Sequence, residues 1–103
     1  MDFRTQLFDR LKAKGLSDSS VKLYVRALEK LNGDSTPFTS LNFLKKVPAV
    51  MASIAHHKPN TQRSILIAIV SALSLWKDKA GIDVLTKKYY DPMIKLRDAM
   101  KAN

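Results

Sequence analysis

The sequence predicts an all-α protein, a compact bundle of four to six short helices. Apolar residues recur at helical spacing through most of the chain, capping residues punctuate that pattern, and no stretch reads convincingly as a strand. The short connections between the segments favour a compact bundle.

The first helix is expected from Asp2 to Lys14, with Phe3, Leu7, Phe8 and Leu11 along one face and Gly15 as a left-handed cap. Ser17 is an N-cap for the second helix, and Asp18 in its first turn suits the positive end of the helix dipole. Val21, Tyr24, Val25, Leu28 and Leu31 form its inner stripe, and Gly33 closes it. A turn-rich connection from Gly33 to Pro37 follows, after which Thr39 or Ser40 can cap a third helical region.

Pro48 interrupts that region, because proline lacks an amide donor and crowds the preceding turn. The expectation is a short helix near Leu41 to Lys46 and another from Pro48 to about His57, or the two joined as one kinked helix. Pro59-Asn60-Thr61 starts the most apolar helix, expected to reach about Lys79 and to be stopped by Gly81. Asp91 as N-cap and Pro92 at the first helical position then predict a last helix to about Ala102.

Composition narrows the function classes. The 103 residues suit one domain spanning 1–103, and 46% apolar residues are enough for a folded core. No apolar run is long enough for a membrane span, so no membrane partner is expected. The Met1-Asp2-Phe3-Arg4 opening lacks the build of a secretion signal, and an intracellular location, with DNA in the cytoplasm, nucleoid or nucleus, is expected. There are no cysteines, hence no disulfides or thiolate metal sites. Eighteen Lys and Arg against nine Asp and Glu give a net charge of +9, a field that favours polyanions.

On the second helix, Lys22, Arg26 and Lys30 fall at i, i+4 and i+8 opposite the core face, with Ser19 at the N-terminal end of the stripe. Such cations can meet phosphates, and an arginine can reach a guanine edge. The same pattern suits a plain solvated face, with Glu29 pairing its neighbours.

In the helix after Asn60, Ile65, Ala68, Ile69, Ala72, Leu73 and Trp76 make a wide apolar face, widened by Leu66, Val70 and Leu75. The remaining strip carries Asn60, Arg63, Ser64, an exposed Ile67, Ser71, Ser74 and Asp78, small polar residues that allow close approach to a helix or a nucleic-acid backbone. Asn60 and Thr61 lie where free amides and the helix dipole attract phosphate, with Lys58 and Arg63 adding charge; ordinary capping explains them equally. The two helices are expected to turn their cationic and hydroxyl-bearing sides toward a common outer surface.

The two helix openings carry a resemblance. Leu16-Ser17-Asp18-Ser19-Ser20-Val21, followed by Tyr24 and Leu28, resembles the opening of the core-binding domain of tyrosine recombinases and phage integrases, with Ser20 where that family usually has Thr. Lys58-Pro59-Asn60-Thr61-Gln62-Arg63, continuing through Ile69, Leu73 and Trp76 to Ala80-Gly81, looks like a later helix of the same domain. The segment after Asp91-Pro92 is similar to its closing helix, so the likeness spans nearly the whole chain in order.

The resemblance implies a SAM-like bundle of four or five helices, packed on one face of duplex DNA opposite a separate catalytic domain. The helices corresponding to 17–32 and 60–79 would approach the major groove and flanking phosphates, and the last helix would contact a neighbouring protomer. Lys22, Arg26, Lys30, Lys58, Arg63 and Lys77 are then the expected phosphate partners. Ser19, Ser20, Asn60, Thr61, Ser64 and Ser71 are candidates for hydrogen bonds at the DNA surface.

No catalytic centre is expected. The family's catalytic domain supplies a His-x-x-Arg element and an activated tyrosine, and this chain has no His-x-x-Arg. Tyr24 belongs to the core pattern, while Tyr89 and Tyr90 precede the predicted last helix without an activating cluster. The chain reads as an excised domain or a stand-alone binder. Adjacent His56 and His57 diverge by about 100° on a helix, so no metal or other cofactor is expected. Glycine-rich phosphate loops and a G-x-S-x-G element are also missing.

Two rival readings remain. One is a basic interaction module that docks an acidic partner or self-associates through Leu66, Ile67 and Val70. The other is a helix-turn-helix DNA binder, for which Leu11–Val21 supplies two helices and a tight turn.

Overall fold

A computed structural model describes residues 2–33 and 37–101. The described residues form five α-helices and no strand: α1 (Phe3–Ala13), α2 (Asp18–Asn32), α3 (Val47–Ile54), α4 (Pro59–Leu73) and α5 (Ile82–Lys101). Short 3-10 turns precede α3 (Asn42–Lys45) and follow α4 (Ser74–Trp76). No helix among the described residues is long and apolar enough to cross a membrane.

The first two helices begin and end where their caps place them. Asp2 Oδ1 accepts from the Thr5 amide at 2.8 Å, and hydrogen bonding from the Thr5 side chain, with this amide bond second, holds the Asp2 carboxyl below the usual carboxylate range. Gly15 follows α1 at φ +93°, a conformation that L side chains rarely adopt. Ser17 Oγ accepts from the Ser20 amide at 3.3 Å and so caps α2, and Gly33 closes it. Residues 34–36 of the predicted Gly33–Pro37 connection lie outside the described residues. The Pro48 region resolves into the two-piece alternative. A 3-10 turn ends at Lys45, and α3 then starts with proline in its first turn, where a missing amide costs nothing.

Helix α3 ends at Ile54, three residues short of the expected His57, and two further boundaries differ from the sequence expectation. Helix α4 stops at Leu73 rather than near Lys79. The Ser74 hydroxyl donates to the Ser71 carbonyl at 2.7 Å, competing with the regular backbone pattern, and the chain tightens into a 3-10 turn through Trp76. Gly81, at φ +83°, therefore stands directly before α5, and its carbonyl accepts from the Leu85 amide.

The second difference is larger. Asp91-Pro92 does not open the last helix; Pro92 lies inside α5, which begins at Ile82. Ile82, Leu85, Tyr89, Met93 and Leu96 continue one inward stripe across the proline, and packing of that stripe outweighs one lost backbone hydrogen bond. The carbonyl deprived of its donor belongs to Lys88, an exposed residue where water can serve it. The predicted end of this helix, Ala102, lies outside the described residues.

Helix α4 is the hub, packing most extensively on α5 and also on α2 and α1. Leu66 and Ile69 are fully buried and Leu73 nearly so, each contributing about 1.5–3 kcal/mol of apolar transfer. They join Leu7, Leu11, Val21, Val25, Leu28, Leu44 and Ile54 in a single core cluster.

Tyr89 ties α5 to the 3-10 turn before α3. Its ring is fully buried, its hydroxyl donates to the Leu44 carbonyl at 2.5 Å, and burial pushes its phenol up to about 12. On another side Phe3 stacks on Trp76 with ring centroids 6.0 Å apart, and the Arg10 guanidinium lies 5.1 Å from the Trp76 ring. The start of α1 is thereby fixed against the turn that follows α4.

Candidate nucleic-acid interface

Helices α1 and α2 are joined by four residues, 14–17, and pack side by side. A shared core fixes their rotation: Leu7 and Leu11 of α1 and Val21, Val25 and Leu28 of α2 point inward. With those positions buried, the 3.6-residue repeat brings Lys22, Arg26 and Lys30 to an exposed flank beside α1. The result is an open groove lined by Arg4 and Phe8 from α1 and by Lys22, Arg26, Glu29 and Lys30 from α2.

Four cations and one carboxylate therefore share one surface concavity. Arg4 Nε bonds Glu29 Oε1 at 2.5 Å, with Arg4 61% and Glu29 38% exposed. This hydrogen bond raises the already high pKa of Arg4, keeping it cationic at any pH in ordinary use. Glu29 thus pairs across to α1 instead of with neighbours on its own helix, and Lys22, Arg26 and Lys30 form no salt bridge among the described residues. Exposed pairs add little stability, so the groove's net positive charge is its main physical property.

The other predicted residues are distributed differently. Ser19 is exposed on α2, whereas Ser20 is half-buried and its hydroxyl accepts from Ser17 Oγ at 3.0 Å. Lys58, Asn60 and Thr61 are exposed at the start of α4, where Lys58 occupies the N-cap and no side chain caps the helix. Gln62 reaches back from this turn, its amide donating to the His57 carbonyl at 2.7 Å and the Ala55 carbonyl at 3.2 Å. That contact ties the first turn of α4 to the turn that follows α3.

Ser64 is exposed but donates to the Asn60 carbonyl, and Ser71 is half-buried, its carbonyl taken by Ser74. Arg63 is half-buried; its Nε is shielded from solvent without a hydrogen-bond partner among the described residues. Lys77 is exposed in the turn beyond Trp76.

None of these α4 and post-α4 residues lines the α1–α2 groove. Ile67, expected exposed, is half-buried, and Leu66 is fully buried, so the strip proposed for self-association offers a partner little apolar surface.

Arg4 is the groove residue that sequence reasoning missed. It lies one helical turn from Phe8 on α1, but its pairing with Glu29 spans 25 residues and has no local signature. The His56 and His57 rings lie 4.1 Å apart, centroid to centroid, tilted by 36°, and no group of three His, Cys, Asp or Glu among the described residues could hold a metal. Tyr90 lies within α5 and is 46% exposed, while Tyr89 is committed to the Leu44 carbonyl.

No protein-family model, no curated protein and no solved structure matches this chain.

Proposed function

We propose that the chain binds duplex DNA, serving as the core-binding half of a recombinase-type clamp. The carrying observation is the α1–α2 groove, which gathers Arg4, Lys22, Arg26 and Lys30 on one open surface of a chain with net charge +9. Cations held along a helix flank meet phosphates without reading sequence, so the groove contributes affinity and orientation. The start of α4 provides a second contact, with Asn60 and Thr61 in the first turn beside Lys58. The clamp reading rests on the resemblance of the segments opening α2 and α4 to the recombinase core-binding domain, since Asp91-Pro92 lies inside α5 and opens no closing helix; the groove by itself supports polyanion binding more generally.

Binding of a fluorescent duplex to two variants tests this reading. One is Lys22→Ala/Arg26→Ala/Lys30→Ala in the groove, the other Lys58→Ala/Arg63→Ala at α4. The clamp requires both to weaken binding to all duplexes alike. Loss in the first alone favours the helix-turn-helix reading, in which α1 and α2 are joined by a short turn. Unchanged affinity in both overturns nucleic-acid binding through these surfaces.

A further inference from the structure

The bundle holds a second concavity, which shares no residue with the cationic groove. It is a cleft of about 400 Å³ between the start of α1, the segment 39–42 with the following 3-10 turn, and the turn leading into α5. This volume falls within the range of roughly 300–1,000 Å³ usual for small-molecule sites. Its apolar wall includes Phe3, Trp76, Ile82 and Leu85, all half-buried.

Among the described residues, the charged ones in its lining are Lys45 and Lys79, both exposed and neither in a salt bridge. No carboxylate among the described residues lines it. Lysine stems can extend apolar walls while their ammonium groups stay at the wet rim.

We propose that this cleft binds a small amphipathic carboxylate, its hydrocarbon body against Trp76, Ile82 and Leu85 and its carboxylate between Lys45 and Lys79. Size selects a ligand of medium chain length, and the one-signed rim selects an anion over a neutral or cationic amphiphile of the same length. The inference is independent of DNA binding, because it uses none of the groove residues.

Trp76 is the sole tryptophan, so its emission reports from inside the cleft. Decanoate is titrated below its micelle-forming concentration, alongside decanol and decyltrimethylammonium. The expected result is a saturable change with decanoate, a weaker response to decanol and none to the cation. In Lys45→Gln/Lys79→Gln, whose exposed substitutions leave the helical circular dichroism unchanged, decanoate affinity falls about tenfold, the effect of ~1.4 kcal/mol. No saturable change, an equal response to decanol, or undiminished affinity in the double variant would overturn the proposal.

Discussion

Replacing Tyr89 by Phe removes one oxygen atom from the interior without changing the ring that packs there. The ring is fully buried and the hydroxyl donates to the Leu44 carbonyl, a contact spanning 45 residues that ties α5 to the 3-10 turn. In Tyr89→Phe the carbonyl of a buried residue loses its donor, and an unmet buried polar group costs about 1–3 kcal/mol. For a domain of this size each kcal/mol lowers Tm by roughly 4–8 °C. Thermal and urea unfolding followed by circular dichroism should therefore show a clear drop in midpoint with an unchanged urea slope. The substitution has a second signature at high pH. Burial raises the folded phenol to about 12 from an ordinary value of 10.0, so the native state holds its proton more tightly than the unfolded chain. The corresponding stability is fully present below pH 10 and is lost as pH rises from about 10 to about 12. Tyr89→Phe should lose this part of the alkaline decline. An unchanged midpoint at neutral pH together with an unchanged alkaline limb would refute the reasoning.

Two further substitutions probe the turns that set the helix boundaries. Ser17→Ala removes the acceptor for the Ser20 amide at the start of α2 and should cost about 0.5–2 kcal/mol in urea unfolding; no loss would mean that Ser17 is not the cap. At Gly81 a Cβ would meet nothing within 4 Å, so the cost of Gly81→Ala is backbone strain alone, about 1–2 kcal/mol at φ +83°. Gly81→Asn should cost less, and equal losses for Ala and Asn would show that the left-handed backbone is not the constraint.

Local grammar made much of the fold readable. Gly15, Ser17 and Gly33, read from the sequence, bound the first two helices because caps act within a few residues of the amides and carbonyls they serve; the capping role of Asp2, which the sequence reading placed inside the first helix, emerges only from the structure. The same grammar misled at Asp91-Pro92, which has the form of a helix start. There a tertiary stripe from Ile82 to Leu96 against α4 decided the outcome. At the end of α4, the Ser71 and Ser74 pair read from sequence as small surface residues, and in the structure they hydrogen-bond to each other where the helix ends.

The candidate site was legible in proportion to how local it is. Lys22, Arg26 and Lys30 follow from spacing on one helix, and they do line one groove. Arg4 enters that groove only because α1 folds back beside α2, which no spacing within one helix reveals. Ser20 and Ser64 looked like free hydroxyls and are engaged within their own helix turns, as serine side chains often are.

The most direct test of the central claim is the salt dependence of duplex binding by the unaltered chain. If Arg4, Lys22, Arg26 and Lys30 each neutralise a phosphate, log Kobs should fall with log[salt] at a slope of about −3.6 or steeper, and Lys22→Ala should reduce that slope by about one. A slope near zero, or no duplex binding at low salt, would contradict the account.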